Sequence, residues 1–373
     1  MNRFFPEING NFGFGCMRLP IKDGEVDFAE FSRMADAFIE AGFNYFDTAH
    51  GYVGGKSETA VRECVSRRYP REKFLLTDKL SSNYFQRTED IRPLFESQLE
   101  ACGVDYFDFY LMHAQDKEKY EKYTRLRAYE TAYDFKREGK IRHFGISFHD
   151  TAELLDKILT EHPEIEAVQL QFNYMDYDDP AVQSKKCYDV CVKHGKPVIV
   201  MEPVRGGGLV NLPSGAREII DELGGTPASY ALRFTGSFDD VMLVLSGMGN
   251  IDMVRENVST MKDFVPLNER ELDAISKVRG ELGRQNLIQC TACRYCMERC
   301  PIGISIPDLF AVMNSKTLFK EKNWNANYYY GHIYTSDGRR ASDCIRCGAC
   351  EAICPQHLEI RNLLASIAEE FEK

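Results

Sequence analysis

No stretch of this 373-residue chain reaches the roughly 20 consecutive apolar residues that a membrane-spanning helix needs, so no membrane partner is expected. Positive charge is not in excess either: 46 Lys and Arg stand against 57 Asp and Glu, a formal net charge of −11. A nucleic-acid partner wants a basic face that displaces counterions, so none is expected. The opening MNRFFPEING lacks the basic start, apolar stretch and cleavage site of an export signal, which points to the cytoplasm. Gly13-Phe14-Gly15 does not extend into a dinucleotide-binding glycine fingerprint, and no flavin motif is visible. What is present is a chain with 44% hydrophobic residues, long enough for one large domain and a smaller one.

Thirteen cysteines are unevenly spread. Cys16, Cys64, Cys102, Cys187 and Cys191 are scattered, and eight fall between Cys290 and Cys354. Without an export signal, clustered cysteines read as metal ligands rather than disulfides. The first run is Cys290-x-x-Cys293-x-x-Cys296-x-x-x-Cys300-Pro301. The second is Cys344-x-x-Cys347-x-x-Cys350-x-x-x-Cys354-Pro355. This is the spacing of bacterial two-cluster ferredoxins, in which the fourth cysteine of each run ligates the other cluster. By that rule one [4Fe–4S] cluster takes Cys290, Cys293, Cys296 and Cys354, and the other takes Cys344, Cys347, Cys350 and Cys300. Zinc, the plainer alternative, is usually held by two separated Cys-x-x-Cys pairs, not by a repeated four-cysteine run. The segment Leu287–Leu358 resembles dicluster ferredoxins, with a long insert from Pro301 to Asp343. That insert carries Asn327-Tyr328-Tyr329-Tyr330, which could pack on the first domain or be ordinary surface packing.

Over the first 280 residues strand-like and helix-like segments alternate. Strands are expected at Asn11–Met17, Phe43–Asp47, Phe74–Lys79, Phe107–His113, His143–Ser147, Ala167–Gln171, Pro197–Glu202 and Val241–Ser246. Amphipathic helices are expected at Phe28–Ala41, Ser57–Arg67, Ile91–Cys102, Leu126–Glu138 and Ala152–Leu159. Eight strands separated by helices predict an α/β fold, a closed (β/α)8 TIM barrel, with a doubly wound sheet as the alternative. A small α+β, dicluster ferredoxin-like domain follows it. The division expected is barrel over 1–283 and ferredoxin-type domain over 284–373.

Chemistry in such barrels sits at the C-terminal ends of the strands. Strand two ends in Asp47 and leads to Tyr52, strand three ends in Lys79, and strand four ends in His113. A tyrosine with its pKa near 10 is a weak acid at neutral pH. A neighbouring lysine is expected to lower that value, an aspartate to orient the lysine, and a histidine to position a carbonyl. Singly, a buried Asp–Lys pair or a strand-end histidine is often structural. The four together are harder to dismiss.

From about Gly10 to Leu282 the chain resembles the aldo-keto reductase family. The segments that carry this are FGFGCMRLP, NYFDTAHGYVGGKSE, LLTDKL, FYLMHA, KIRHFGIS, AVQLQFNY and VLSGMGNIDMVREN. The resemblance implies a catalytic tetrad of Asp47, Tyr52, Lys79 and His113, with Tyr52 as proton donor. It also implies NAD(P)H across the barrel mouth. Ser147 and Gln169 would hold the carboxamide, Met201 would stand where an aromatic residue commonly stacks, and Ser246 would belong to the same site. Glu256 and Asn257 would meet the adenine end. Phe148 replaces the family's usual Asn, and Gly247 and Met253 replace its 2′-phosphate cations, with Arg255 a neighbouring substitute. Gly206, in Arg205-Gly206-Gly207-Gly208, is a candidate pyrophosphate contact, because such a loop can present backbone N–H groups. Barrel plus cysteine module resembles the ferredoxin-fused branch of the family.

A nicotinamide moves two electrons as a hydride and a [4Fe–4S] cluster moves one at a time, so coupling them needs a flavin or radical step. FMN could occupy a barrel mouth without a motif. Three readings follow. The first is an oxidoreductase acting on a small carbonyl or alcohol, with clusters exchanging electrons with a ferredoxin or flavoprotein. The second is an electron-transfer protein with a barrel that has lost nicotinamide chemistry. The third is a conventional reductase with structural clusters. Tyr84, Phe85 and Phe172 are candidate pocket walls.

Overall fold

The structure, a computed structural model, describes residues 2–179, 182–284, 287–318, 326–327 and 329–373. Its strands in chain order are β1 (Phe12–Gly15), β2 (Ile21–Lys22), β3 (Glu25–Val26), β4 (Tyr45–Asp47) and β5 (Leu75–Leu80), then β6 (Phe107–Gln115), β7 (Ile141–Phe148), β8 (Ala167–Gln171), β9 (Val198–Met201) and β10 (Val241–Gly247). All but β2 and β3 form a closed parallel barrel, in which β1 pairs with both β4 and β10. The (β/α)8 expectation holds, and each expected strand overlaps an observed one.

These strands are covered on both faces, which is why they read as continuous apolar runs rather than alternating ones. Every residue of β6 is buried. Inside the barrel Tyr45, Leu75, Phe109, Ala167, Ile199, Leu243 and Leu245 pack together. Phe5 and Ile8 from the N-terminal segment join this layer, Phe5 meeting Phe109 edge-on at 5.0 Å. The hairpin β2–β3 was not foreseen. Its signal is Asp23-Gly24, both at positive φ (53° and 80°), the type I′ geometry that suits a two-residue hairpin turn.

The helices in chain order are α1 (Phe28–Glu40), α2 (Ser57–Val61), α3 (Ile91–Cys102), α4 (Lys117–Arg125), α5 (Ala128–Arg137), α6 (Ala152–Glu161), α7 (Ser184–Lys193) and α8 (Ser214–Asp221). They continue with α9 (Pro227–Gly236), α10 (Ile251–Lys262), α11 (Glu269–Arg284), α12 (Tyr295–Arg299), α13 (Ile306–Leu318), α14 (Ala349–Ala352) and α15 (Ile360–Phe371). In α1 the Asp27 carboxylate caps the first turn by accepting from Glu30 N–H at 3.0 Å. Its stripe Phe31, Met34, Ala35 and Phe38 is buried. Each large side chain of that stripe contributes about 1.5–3 kcal/mol by leaving water. The helix expected at Ser57–Arg67 changes pitch: α2 ends at Val61 and a π-turn runs over Arg62–Ser66.

The chain packs as two compact units. The first holds all ten strands; the second combines Val204–Pro227 with Asn268–Lys373. This differs from a single cut between 283 and 284, because α8 packs on α11 and both group with the cysteine segment. In that unit Ile304, Ile306, Leu309, Phe310, Ile360, Leu364 and Ile367 form a core around Cys296 and Cys350. Its described part carries helices and turns, with no strand among the described residues. Of the aromatic stretch in the insert, Tyr328 lies outside the described residues. Tyr330 packs within its own unit, stacked on Phe371 at 4.7 Å.

Candidate functional site

The barrel brings Asp47, Tyr52, Lys79 and His113 together at its C-terminal end. Asp47 closes β4, Lys79 lies in β5 and His113 in β6. Lys79 is fully buried and its Nζ donates to Asp47 Oδ1 at 2.6 Å and to the Thr48 carbonyl at 2.8 Å. The same ammonium lies 4.7 Å from the Tyr52 ring centroid, and the Tyr52 and His113 rings meet edge-on at 5.8 Å. Gln169 reaches across from β8 and donates to Asp47 Oδ2 at 3.1 Å. Both carboxylate oxygens of Asp47 are thereby held.

The electrostatics differ from expectation at Tyr52. Burial, then the negative charges of Asp47, Asp78 and Glu202, push its phenol well above the ordinary value of 10.0. Burial outweighs whatever lowering Lys79, 4.7 Å from the ring, exerts on the resting phenol. Burial also raises Asp47, against the lowering effect of Lys79 and Gln169. His113 goes the other way: burial, then the Lys79 charge and His149, hold it well below 6.5. At neutral pH the site therefore presents a protonated phenol and a neutral imidazole.

Sequence reasoning missed the groups that orient these four. Ser81 Oγ lies 2.5 Å from His113 Nδ1. Its signal was available, since Lys79 and Ser81 are two apart on one strand run and share a face. Asp78, on the opposite face of β5, accepts from the Lys79 backbone N–H at 2.7 Å. Gln98 from α3 donates to Asp78 at 3.1 Å and to the Lys79 carbonyl at 3.0 Å, and Tyr110 OH donates to Gln98 at 2.6 Å. Burial and the nearby Glu58 carboxylate push Asp78 well up. No sequence pattern announces such a network.

The expected cofactor contacts are only partly gathered. Ser147 and Gln169 are partners in the β7–β8 ladder, both buried, and Met201 ends β9 half-buried. A hydroxyl and an amide side by side can hydrogen-bond a primary carboxamide, so this donor set fits a nicotinamide ring. Asn257 is buried and donates to Ser246 Oγ at 3.1 Å, which joins α10 to β10, while Glu256 is exposed beside it. The Gly206 loop groups with the second unit, where a Cβ on this residue would lie 2.1 Å from the Thr291 carbonyl oxygen. Its glycine therefore serves close packing on the cysteine segment. Of the candidate walls, Phe85 is buried beside Tyr123 and Phe172 lies in an aromatic core with Tyr177, Tyr188, Phe234 and Phe238. Tyr84 is exposed and meets His50 edge-on at 4.6 Å.

The eight clustered cysteines line two separate cavities in the second unit. One is lined by Cys290, Cys293, Cys296 and Cys354. The other is lined by Cys300, Cys344, Cys347 and Cys350. Each takes its fourth cysteine from the other run. Apolar neighbours such as Phe310 and Leu358 in the first, and Ile302, Ile304 and Leu364 in the second, complete the walls. Four thiols converging on one apolar-walled cavity suit a cubane cluster.

The sequence pattern of the Aldo/keto reductase family matches residues 11–279, the greater part of the chain. The chain belongs to the Aldo/keto reductase family. A 4Fe-4S dicluster domain matches residues 289–358. This aldo/keto reductase, an oxidoreductase by family, is 25% identical over 275 residues to the NADH-specific methylglyoxal reductase of Escherichia coli, covering 61% of this chain and 82% of that one. It is 29% identical over 204 residues to the glyoxal reductase of Bacillus subtilis, covering 54% and 65% of the two chains. Among solved structures, an aldo-keto reductase from Bacillus halodurans in its holo form superposes with a TM-score of 0.61 at 25% identity, covering 72% of this chain and 92% of that one. Among the described residues no helix is long and apolar enough to cross a membrane.

Proposed function

We propose that this aldo/keto reductase reduces a small carbonyl compound with NAD(P)H, Tyr52 giving the proton to the substrate oxygen, and that its cluster domain exchanges electrons with a protein partner. The reading rests above all on one observation: a half-buried tyrosine beside a fully buried lysine–aspartate pair at 2.6 Å, with a neutral histidine on its other side. The phenol is protonated at neutral pH, which suits an acid awaiting negative charge on a substrate oxygen. As that charge develops, the Lys79 ammonium stabilises the phenolate left behind, a contribution made in the transition state rather than at rest. The neutral His113 imidazole, in the tautomer whose Nδ1 accepts from the Ser81 hydroxyl, donates its Nε2–H to the carbonyl oxygen. Ser147 and Gln169 orient the cofactor ring. A bound nicotinamide supplies the hydride. Glyoxal and methylglyoxal, the compounds in two relatives' names, are the first substrates to try.

The clusters supply one-electron capacity that plain hydride transfer does not use. A low-potential ferredoxin or flavoprotein is the proposed partner, and FMN in the barrel mouth is the alternative coupling device. The test is anaerobic NADH or NADPH consumption with small aldehydes, alongside Tyr52→Phe. We expect kcat to fall about 10²–10⁴-fold in the variant with cofactor affinity nearly unchanged. Retention of most of kcat would favour an electron-transfer protein with a vestigial tetrad.

A further inference from the structure

The fourth cysteine of each run opens the same turn. In Cys300-Pro301-Ile302-Gly303 the Gly303 N–H donates to the Cys300 carbonyl at 3.0 Å, and in Cys354-Pro355-Gln356-His357 the His357 N–H donates to the Cys354 carbonyl at 3.0 Å. Proline suits the second place of such a turn, because its ring already holds the φ required there. The third place lines a cysteine cavity in both halves. Ile302 lines the cavity of Cys300, Cys344, Cys347 and Cys350, and Gln356 lines that of Cys290, Cys293, Cys296 and Cys354. The two halves match in backbone and differ in chemistry, with an apolar side chain at this place in one and an amide in the other.

That amide is buried and only half satisfied. Gln356 is 8% exposed, and its Oε1 accepts from the Arg205 guanidinium at 3.4 Å. A guanidinium can only donate, so this contact fixes which end of the amide is oxygen and turns the nitrogen the other way. Arg205 stands outside the cavity lining, which leaves the nitrogen end for the cavity. Gln356 Nε2 is buried and has no hydrogen-bond partner among the described residues. Buried N–H groups are seldom left unpaired, so this one calls for an acceptor. The side chains around the cavity are mostly apolar apart from its four cysteines, and the backbone N–H groups of Leu358, Gln356 and His357 already bear on the Cys354 sulfur.

Reduction adds one electron to a cluster and makes its sulfurs better acceptors, so a donor held on them favours the reduced state. We propose that the Gln356 side-chain N–H donates to a sulfur of the cluster held by Cys290, Cys293, Cys296 and Cys354 and raises its reduction potential, a bond that Ile302 cannot make to the other cluster. This rests on the cluster reading of that cysteine set. No covalent bond forms or breaks in the step: the cluster takes up one electron from its electron partner and later returns it.

The experiment is an EPR-monitored redox titration of anaerobic full-length protein and of two variants, with iron counted per chain. Gln356→Ile copies the other half, and Gln356→Glu keeps an acceptor for Arg205 but brings no N–H. ENDOR of the reduced clusters in ordinary and deuterated buffer reads the exchangeable protons beside them. For both variants we expect about eight irons, one midpoint lowered and the other unmoved. For Q356I the oxidised-to-reduced ratio of that cluster at fixed potential should rise on the order of tenfold, about 59 mV for one electron. One exchangeable-proton coupling of the wild-type protein should be missing from both variants. An unchanged midpoint in Q356I at full iron content would overturn the proposal. So would an equal shift of both midpoints, or survival of every exchangeable coupling in Q356E. Loss of about four irons from both variants would make Gln356 a structural clamp and overturn it as well. Where only Q356I loses iron, the couplings of Q356E decide. Wild-type protein without iron would instead defeat the cluster reading itself.

Discussion

Replacing Lys79 by methionine tests the barrel site at its most buried point. The side chain is of similar length, so packing is largely kept and the charge is what changes. At 2.6 Å and an effective dielectric of about 20, the Lys79–Asp47 attraction is on the order of 6 kcal/mol. Desolvation of two buried ions offsets several kcal/mol per ion, so the intact pair is worth little net. Breaking it is different, because Asp47 is left buried with Gln169 as its remaining side-chain donor among those described here. Such an orphaned charge costs about 3–5 kcal/mol. At about 2–4 °C per kcal/mol this lowers the thermal midpoint by on the order of 10 °C. The defect should also depend on pH. Burial already raises Asp47 above 3.8, and without lysine it rises further. A raised acid is penalised where it must ionise, so the K79M defect should shrink at low pH and grow as pH rises through the new Asp47 value. Adding Asp47→Asn removes the orphaned charge. The double variant should then be more stable than the sum of single losses predicts, by about 2 kcal/mol or more. Thermal unfolding followed by near-UV circular dichroism at several pH values gives all four corners of the cycle. A K79M loss below about 1 kcal/mol, or strict additivity in the double variant, would refute the reasoning.

The phenol lies well above 10.0 and the imidazole well below 6.5, so the pH profile of reductive kcat should be flat between those values. A single-proton limb inside that interval would mean that the Lys79 charge outweighs burial at the tyrosine. Cys354→Ser should leave the second cavity's cluster and perturb the first, while Cys300→Ser should do the reverse; EPR of the reduced variants reads this directly, and if each serine disturbed the cluster of its own run the crossed sets would be wrong. Glu166 is opposed by burial, but hydrogen bonds from His143, Lys136 and Phe144 N–H bring it from 4.5 to about 2. A depressed acid stabilises the fold above its unfolded value, so stability should decline as pH falls from 4.5 toward about 2, and Glu166→Gln should flatten that slope in acid-unfolding curves.

Much of this protein was legible locally. The cysteine runs state their chemistry through spacing alone, because a two-residue interval and a terminal proline are set along the chain. The eight strands were legible too, since burial on both faces leaves apolar runs such as Phe107–Gln115 that no solvated segment carries. The meeting of Asp47, Tyr52, Lys79 and His113 could be read because barrel strand ends converge by the fold's own geometry. Other features belong to tertiary structure. Whether the Lys79 charge or burial prevails at the Tyr52 phenol depends on how deeply the phenol is buried, which has no sequence signature. The reach of Gln169 to Asp47 spans the barrel, 122 positions apart in the chain. The glycines of the Arg205 loop read equally well as a phosphate cradle or as a point of close approach. Only packing against Thr291 distinguishes these, because a glycine marks the need for space or positive φ without saying what fills it.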